Sequence, residues 1–546
     1  MKSLCKRCMV IVLWHLLIIL PSFGKGSQET PKLIVIITVD QFRADYLERY
    51  DPAFRGGLRR LRDEGWRYDR AIVDHAPTLS WPGHTTIATG SHPKTHGIAT
   101  DAFIADGMRR QMMLQDNEEQ ILGFPRSLSL SSRNIRVTGI ADWVRAADSN
   151  ARTVALGTGP GLALCYGGKP QSDRTLNHVY WLDSYAGQFV TTTYYRDEYP
   201  DWLKRFNKEI VPTYKENLVW ENSVPEEHRH LARPDDAPYE GDGVHTSFPH
   251  RIEHSYPGTG ERWVNSWFYN YSFSAEEALF SLAKESIKNL QLGKRNATDL
   301  LTIAIKITDR IGHDYGPRSL EQLDIVLRID RELAEFFQFL DTTIGKEKYV
   351  LALTADHGAP NVVEYELEKG HTARRVLEKD IKSVLYRIEV FINGYDGPQD
   401  ELPSRIAREL EKSDFIARAM TPQDLAGTGH ADRILQSYRN SYVPGIKSLI
   451  PLWTNDVLRG NISPNHPGNF GVIVEFVEGA QLYTASSAHL SSYHYDQEVP
   501  IIFFGNGIRA GVANEAARTI DIAPTLAHLA GIPYPGTVDG TVLDVR

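Results

Sequence analysis

Four apolar runs, each bordered by polar or charged side chains, constrain the fold of this chain more than any other feature. They are "KLIVIITVDQF" (Lys32 to Phe42), "DLLTIAIKITDRIGHDYGP" (Asp299 to Pro317), "YVLALTADHGAP" (Tyr349 to Pro360) and "VPIIFFGNGI" (Val499 to Ile508). Runs rich in β-branched residues are typical of strands buried on both faces of a parallel sheet. Between the second and third runs, apolar residues recur at helical spacing, bounded by Ser319 and Gly345. This order predicts an α/β fold with a mostly parallel central sheet flanked by helices.

Two stretches depart from this pattern. Residues 125–295 are rich in aromatic residues and proline, and residues 365–470 mix helical and turn signals. We interpret both as insertions that cap the functional edge of the sheet. The predicted organisation is a signal peptide at 1–24, a first α/β core segment at 25–124, an inserted cap region at 125–295, a second core segment at 296–364, a second insertion at 365–470 and a third core segment at 471–546.

The N-terminus has the features of an export signal. Lys2, Lys6 and Arg7 precede an apolar run from Met9 to Leu20, and a cleavage site is predicted after Gly24. The apolar run is too short to span a bilayer comfortably, although an uncleaved anchor is the alternative. We therefore predict an exported protein, periplasmic or secreted, without a stable membrane span after cleavage.

Charge and cysteine content exclude some classes of protein. A net charge of −9 and a pI near 6.1 argue against a nucleic-acid-binding surface, which would be basic. Of the three cysteines, Cys5 and Cys8 lie in the predicted signal peptide, which leaves Cys165 alone in the mature chain. The mature chain then has no internal disulfide and no thiolate cluster. Any metal site must be built from histidine and carboxylate side chains.

Aspartate and histidine residues collect at the predicted strand ends. The candidates are Asp40, Asp309, His313, Asp356, His357 and His489. Sites in open α/β sheets lie beyond the carboxyl ends of the strands, so these side chains are expected to converge. Mixed oxygen and imidazole ligands suit Zn²⁺ and, less strictly, other divalent ions. Any one of them alone could be a helix cap or a packed histidine, but six together favour a metal site.

Ser80 is the candidate nucleophile, and the alternative is a hydroxyl in a turn. It stands in "DHAPTLSWPGHTTIATGSHPKTHGIATD", Asp74 to Asp101, with no obvious base beside it. Two metal ions about 4 Å apart can lower the pKa of a coordinated hydroxyl and clamp the attacking and leaving oxygens. Metal coordination would therefore replace a histidine base. We interpret the nearby His84 as a support for the loop.

Six motifs, in order from residue 32 to the C-terminus, resemble one known family. They are "VDQFRADYL", "SWPGHTTIATGSHPKTHGI", "DRIGHDYGP", "TADHG", "AHLSSYHYDQEVPIIFFG" and "TIDIAPTLAHLAGIPYPGTVDG". The resemblance is to the alkaline phosphatase superfamily, in the branch of the type I phosphodiesterases/nucleotide pyrophosphatases and the periplasmic alkaline phosphatases similar to them. It implies an alkaline phosphatase-like core, a small-molecule phosphate ester as substrate and a covalent phosphoseryl intermediate on Ser80. It also implies two Zn²⁺ per chain, one held by Asp309, His313 and His489 and the other by Asp40, Asp356 and His357.

Two departures from the family pattern concern the substrate. Where the family usually has an asparagine that donates to a phosphoryl oxygen, this chain has Asp101, whose ionised carboxylate can only accept. The neighbouring Thr100 could donate instead. The Lys-x-Arg element of the monoesterases aligns with Gly159, Pro160 and Gly161. Because a diester carries less charge at phosphorus than a monoester, this loss favours phosphodiester substrates.

Other functions remain open from the sequence. An alkaline phosphatase acting on monoesters is the first alternative, with another cation such as Lys94 or Lys169 in place of the lost ones. A sulfatase is the second, although it would need Arg at the position of His84 and oxidation of Ser80 to formylglycine. A non-enzymatic exported binding protein is the third. The sequence does not predict the oligomeric state.

Overall fold

The computed structural model describes most of the chain. The described residues are 29–105, 109–125, 128–171, 173–216, 218–241, 243–255, 260–447, 452, 454, 456 and 462–546. The predicted signal peptide at 1–24 lies outside them. None of the helices in the described ranges combines the length and the apolar character that crossing a bilayer requires.

The strands of the described residues are β1 Leu33–Val39, β2 Trp66–Ile72, β3 Ala102–Ala105, β4 Arg109–Met112, β5 Thr153–Gly157, β6 Asn177–Asp183, β7 Gln188–Val190, β8 Val219–Trp220, β9 His250–Arg251, β10 Asp299–Ile305, β11 Tyr349–Thr354, β12 Arg374–Val376, β13 Ile416–Met420, β14 Ile473–Phe476, β15 Ala480–Leu482, β16 Glu498–Gly505 and β17 Gly511–Val512. The α-helices are α1 Tyr46–Arg49, α2 Gly57–Glu64, α3 Ser80–Thr89, α4 Pro93–His96, α5 Ile140–Ala147, α6 Pro160–Leu164, α7 Asp201–Arg205, α8 Ile252–Ser255, α9 Glu261–Tyr271, α10 Ser274–Leu290, α11 Ile307–Tyr315, α12 Leu320–Thr343, α13 Val363–Glu368, α14 Glu378–Asn393, α15 Leu402–Leu410, α16 Pro422–Ala426, α17 Arg433–Ser441, α18 His494–Gln497 and α19 Ile522–Leu529. Short 3₁₀ or π turns lie at Asp51–Ala53, Arg174–Leu176, Phe206–Ile210, Val211–Lys215, Glu226–Leu231, Lys346–Lys348, Pro467–Phe470 and Thr519–Asp521.

A nine-stranded sheet in the order β17-β2-β16-β11-β1-β10-β5-β6-β7 forms the centre of the protein. Strand β1 pairs in parallel with β10 and β11, and the parallel pairing continues from β10 through β5 to β6. Strand β16 runs antiparallel to both β11 and β2. The predicted α/β fold with a mostly parallel sheet is therefore confirmed, and all four apolar runs contain a strand of this sheet.

Both faces of the central strands are covered, which explains their continuous apolar sequence. All seven residues of β1 are buried. Val35 belongs to the core layer that includes Leu323 of α12, whereas Ile34 belongs to the layer that includes Ile87 of α3 and Leu526 of α19. Helices on the two faces thus bury alternate residues of the same strand.

Helix α12 begins and ends close to where the sequence predicts. The side chain of Ser319 accepts a hydrogen bond from the backbone N–H of Gln322, 3.0 Å away, and so caps the helix N-terminus. The helix ends at Thr343, and Gly345 follows with a φ of 107°, a conformation that favours glycine. The predicted crossover helix is confirmed.

The division of the chain into core and insertions is less simple than its predicted boundaries. Strands β5, β6 and β7 lie within residues 125–295, the predicted inserted cap region, yet they form one side of the central sheet. Strands β12 and β13 of the second insertion pair with β15 and β14, which lie beyond its predicted end at residue 470. Aromatic content hid the contribution of β6, because this strand contains tyrosine and tryptophan and a single β-branched residue, Val179. The predicted domain boundaries remain a prediction.

Candidate active site

Two carboxylates meet where neighbouring strands end. Thr38 of β1 is in register with Thr354 of β11 in a parallel pair, so Asp40 and Asp356, two residues further along the chain in each case and just beyond the strand ends, lie side by side. Both carboxylates are fully buried. His357 follows Asp356, and its Nε2 lies 3.3 Å from Asp356 Oδ2 and 3.6 Å from Asp40 Oδ1.

A second group forms around Asp309. We expected Asp309 at a strand end, but β10 stops at Ile305 and Asp309 lies on α11, four residues before His313. Positions i and i+4 share one face of a helix, and His313 Nε2 lies 3.2 Å from Asp309 Oδ1. His489, in the segment before α18, brings its Nε2 to 3.4 Å from the same oxygen.

Backbone carbonyls set the tautomers of these two histidines. His313 Nδ1 donates to the Ser487 carbonyl at 2.7 Å, and His489 Nδ1 donates to the Thr78 carbonyl at 2.6 Å. When neutral, each ring therefore presents an unprotonated Nε2 toward Asp309. Metal-ligating histidines show this arrangement, with the other ring nitrogen donating to a carbonyl.

His84 also joins the first group, although we interpreted it from the sequence only as a loop support. Its Nε2 lies 3.4 Å from Asp356 Oδ2 and 3.6 Å from Asp40 Oδ2, while Nδ1 is 3.2 Å from the Tyr166 hydroxyl. The GH pair in "SWPGH" was the only sequence signal for this position.

Three groups of side chains within the described residues could hold a metal ion. They are Asp309, His313 and His489; Asp40, His84 and Asp356; and Asp40, Asp309 and His357. Among the described residues, Asp40 Oδ1, Asp356 Oδ2 and His84 Nε2 are buried polar atoms without a hydrogen-bond partner. Buried carboxylate oxygens are costly unless they are paired or coordinate a cation. The donor set and these orphaned atoms fit bound divalent cations.

Sequence reasoning missed Lys306, the residue directly after β10. Its Nζ lies 2.8 Å from Asp40 Oδ2, 2.6 Å from Asp309 Oδ2 and 3.2 Å from Ser80 Oγ. The sequence feature that could have identified it is the position of this lysine, which interrupts the apolar run "DLLTIAIKI".

Gln41 was missed as well. Its φ of 61° turns the chain sharply after Asp40. As a result, its backbone N–H donates to Asp356 Oδ1 and its side-chain amide donates to Asp309 Oδ1, both at 3.1 Å. A non-glycine residue in this conformation is strained, and such strain occurs at functional sites. Gln41 orients one carboxylate from each group.

The charges of the cluster are strongly coupled. Burial alone would raise the pKa of Asp40, but the charge of Lys306, acting together with His84 and His357, lowers it to about 2. Burial would also raise the pKa of Asp309, but Lys306, His313 and His489 together hold it well below the ordinary value. At Asp356, burial and the charge of Asp40 together raise the pKa well above the ordinary value. Three carboxylates thus compete for one ammonium group, and bound cations would relieve the competition.

Ser80 is the first residue of α3 and is 6% exposed. Its Oγ is 3.5 Å from His357 Nε2, so the hydroxyl lies beside the cluster. A Cβ on Gly83 would lie 2.6 Å from the Asp356 carbonyl oxygen, so only glycine lets α3 approach the end of β11 this closely. The helix N-terminus also favours negative charge at Ser80.

The two residues of the predicted substrate site, Asp101 and Thr100, both hydrogen-bond to nearby backbone groups. Asp101 accepts a hydrogen bond from the backbone N–H of Trp81 at 3.0 Å, and burial raises its pKa to about 6. The Thr100 hydroxyl donates to the Ala102 carbonyl at 3.0 Å and not toward Ser80. A substrate-binding role for both residues remains a prediction.

Trp81 also lies against Gly161, one of the two glycines predicted to align with the Lys-x-Arg element. A Cβ on Gly161 would lie 1.8 Å from Trp81 Nε1, and one on Gly159 would lie 3.3 Å from the Tyr269 hydroxyl. The indole therefore excludes any side chain at residue 161 in this arrangement. Of the other cations considered from the sequence, the Nζ of Lys94 donates to Asn440 Oδ1.

Comparisons with known proteins agree with this geometry. Residues 34–413 match the family model described as type I phosphodiesterase / nucleotide pyrophosphatase. A protein named calcium-transporting ATPase from Myroides odoratus is 29% identical over 94% of this chain and 94% of its own length. Alkaline phosphatase PhoV of Synechococcus elongatus is 29% identical over 96% of this chain and 94% of its own length.

Alkaline phosphatase PafA of Elizabethkingia meningoseptica is 27% identical over 97% of this chain and 98% of its own length. A crystal structure of alkaline phosphatase PafA superposes with a TM-score of 0.81, at 24% identity, over 94% of this chain and 98% of that one. This likeness shows that the two chains share a fold.

Proposed function

Because the chain belongs to the type I phosphodiesterase/nucleotide pyrophosphatase family and is a hydrolase of the alkaline phosphatase superfamily, we propose that it cleaves phosphate esters through a covalent intermediate on Ser80. The proposal includes two divalent cations, Zn²⁺ by preference, and small-molecule phosphodiesters as substrates. It also includes export, for which the predicted signal peptide is the support.

One observation carries the proposal: the Ser80 hydroxyl lies beside the point where the carboxylates and imidazoles converge. Its Oγ is 3.5 Å from His357 Nε2 and 3.2 Å from Lys306 Nζ. A serine in an ordinary turn would have no reason to contact a lysine and a histidine that themselves contact buried carboxylates.

Asp309, His313 and His489 would hold one cation, and Asp40, Asp356 and His357 the other, with His84 as a further donor beside Asp40 and Asp356. When bound, divalent cations supply a lowered pKa at a nearby hydroxyl and neutralise charge on the phosphoryl oxygens. Gln41 orients Asp309 and Asp356 from one position in the chain.

The proposed reaction has two steps. Ser80 loses its hydroxyl proton to water, and the electron pair on Oγ forms a bond to phosphorus while the bond to the leaving oxygen breaks. The leaving oxygen keeps that electron pair and takes a proton from water. Water then attacks phosphorus, the bond to Oγ breaks, and a proton returns to Ser80. A diester yields an alcohol and a phosphomonoester by this sequence.

The preference for diesters rests on the charges around Ser80. Gly159 and Gly161 supply no cation where monoesterases of the family have lysine and arginine, and Asp101 adds a carboxylate. A monoester carries nearly two negative charges at phosphorus and a diester one, so the loss of a single charge-assisted contact, ~1.5–3 kcal/mol, disfavours the monoester.

A monoesterase is the second candidate, favoured by the relatives named alkaline phosphatases that align along nearly the whole chain. One purified sample separates the candidates. Metal content is measured by mass spectrometry, and kcat/KM is measured for p-nitrophenyl phosphate, bis(p-nitrophenyl) phosphate and p-nitrophenyl sulfate. We expect bound zinc and the highest kcat/KM on the diester. Faster monoester cleavage would favour the second candidate, and metal-free protein without turnover would overturn the proposal.

A further inference from the structure

We propose that Lys306 is a catalytic residue: its ammonium group, held by Asp40 and Asp309, donates to Ser80 Oγ and stabilises the alkoxide that attacks phosphorus. This inference rests on the proposed function and extends it to a side chain that the family motifs do not include. In the step concerned, the Ser80 proton passes to water, Oγ bonds to phosphorus and the leaving oxygen departs with the electron pair of its bond.

The three donors of the ammonium group match three acceptors. Asp309 Oδ2 lies at 2.6 Å, Asp40 Oδ2 at 2.8 Å and Ser80 Oγ at 3.2 Å from Nζ. A lysine has three N–H donors, so this arrangement uses all of them. None remains for a phosphoryl oxygen. The geometry therefore directs the charge at the nucleophile and not at the substrate.

The two carboxylates offer different oxygens to different partners. Asp309 presents Oδ2 to Lys306, while Oδ1 faces His313 and His489 and accepts from the side-chain amide of Gln41. Asp40 presents Oδ2 to Lys306, while Oδ1 faces His357 and is one of the buried atoms without a hydrogen-bond partner among the described residues. Lys306 can thus stay in place when cations bind to the remaining oxygens.

The backbone of Lys306 is anchored from behind. Its N–H donates to Thr158 Oγ1 at 3.0 Å and to Glu276 Oε1 at 3.1 Å. Glu276 is 1% exposed, and it also accepts from the N–H of Ile307 at 3.0 Å. These bonds fix the position of the Lys306 backbone. The Lys306 side chain is 21% exposed. An ammonium fixed before the reaction begins stabilises developing charge without a cost of reorganisation.

Two other roles for Lys306 make different predictions. A lysine that binds the phosphoryl group would help a monoester more than a diester, since the monoester carries more charge. A lysine that merely fills a cation position would be displaced by metal, and its removal would raise the metal content. A lysine that stabilises the Ser80 alkoxide acts equally on both ester classes.

The test compares Lys306→Met with the wild-type enzyme and with Lys215→Met. Lys215 is a suitable control because it is also partly buried, and its Nζ donates to Asn265 Oδ1 at 2.7 Å, outside the site. The measurements are kcat/KM for p-nitrophenyl phosphate and bis(p-nitrophenyl) phosphate, zinc bound per chain, the Kd of inorganic phosphate, and the Tm of the metal-free protein. Lys306→Gln, which is neutral but keeps N–H donors toward the carboxylates, is a second variant in case the first folds poorly.

We expect both variants at Lys306 to lower kcat/KM about 10- to 100-fold, by the same factor on the two esters. Bound zinc and the Kd of phosphate should stay within about twofold, the metal-free Tm of Lys306→Met should fall, and Lys215→Met should leave kcat/KM unchanged. A selective loss on the monoester, a gain of bound zinc or an unchanged kcat/KM would each overturn the inference. A wild-type enzyme that cleaves neither ester would instead refute the proposed function.

Discussion

The indole of Trp81 lies against Gly161 so closely that a Cβ at residue 161 would be 1.8 Å from Trp81 Nε1. Trp81 follows Ser80 directly, so the side chain that occupies this space is placed by the same helix that carries the candidate nucleophile. The indole of Trp81 therefore requires glycine at residue 161, because any side chain there would occupy the same space.

Gly161→Arg alone should be destabilising, because the new side chain must displace the indole. Overpacking of this kind costs ~1–3 kcal/mol. The double variant Trp81→Ala with Gly161→Arg should recover some of that loss and raise kcat/KM for p-nitrophenyl phosphate relative to the diester. Trp81→Ala alone is the control. An unchanged Tm in the single Gly161→Arg variant would contradict the packing argument.

Ser80→Ala should abolish the covalent intermediate and lower kcat by at least ~10³-fold, since removal of a nucleophile in comparable enzymes costs this much or more. Ser80→Thr, which keeps a hydroxyl, should retain phosphorylation. The measurement is acid-quenched peptide mass spectrometry after mixing with substrate. A phosphorylated peptide that persists in Ser80→Ala would mean that another residue is the nucleophile.

Asp101→Asn should raise kcat/KM for the monoester relative to the diester. The asparagine removes a negative charge beside the Trp81 N–H and provides an amide donor. The ratio of the two kcat/KM values is the measurement, and Asp183→Asn, at the partly exposed end of β6, serves as a control. An unchanged ratio would exclude repulsion by Asp101 as the cause of substrate preference.

Asp101 should also make stability depend on pH. Burial raises its folded-state pKa to about 6, above the value of 3.8 expected when unfolded. The folded state therefore binds more protons between these values, and stability is lost as pH rises from about 4 to about 6. Asp101→Asn should lose this contribution to the pH dependence. Its free energy of unfolding, compared with that of the wild type, should be ~1–3 kcal/mol more favourable at pH 8 than at pH 4. Denaturant unfolding at the two pH values measures the free energy of unfolding. The same change with pH in the variant and the wild type would contradict the prediction.

Removal of metal should lower the Tm, and added Zn²⁺ should restore it. Ligand at 100 times its Kd stabilises a folded protein by ~2.7 kcal/mol. Asp309→Asn, which alters a ligand of one predicted cation, should bind less zinc and gain less stability from it. Calorimetry with and without chelator provides the measurement. Equal zinc binding by the variant would mean that Asp309 is not a ligand.

Glu276 should tolerate Gln but not Leu. Its Oε1 accepts from the N–H groups of Lys306 and Ile307, and both carboxylate oxygens lie within hydrogen-bond distance of Thr158 Oγ1. Gln keeps an acceptor for these donors. Leu leaves the Ile307 N–H and the Thr158 hydroxyl buried without this acceptor, at ~1–3 kcal/mol each, while the Lys306 N–H keeps its bond to Thr158 Oγ1. Unfolding free energies compare the variants, and equal stability for Gln and Leu would contradict the anchoring role.

Much of the fold followed from local patterns. The continuous apolar sequence of β1 and the capped, periodic sequence of α12 are each decided by neighbours along the chain, and both elements were predicted closely. Strand β6 was missed because its aromatic residues resemble those of the predicted cap, and its membership of the sheet depends on pairing with β5. Pairing between strands is a long-range contact that a local pattern does not contain.

The sequence by itself determined which kinds of side chain stand at the ends of the central strands, because burial on both faces requires apolar runs and polar residues can only follow them. Only the tertiary structure decided which atoms face each other. Lys306 and Asp40 are 266 positions apart, and their contact depends on the parallel pairing of β1 with β10. The contact between Trp81 and Gly161 likewise depends on how α3 packs against α6. Distances of a few ångströms between remote segments arise from packing of the whole core, which residue types and spacing alone do not specify.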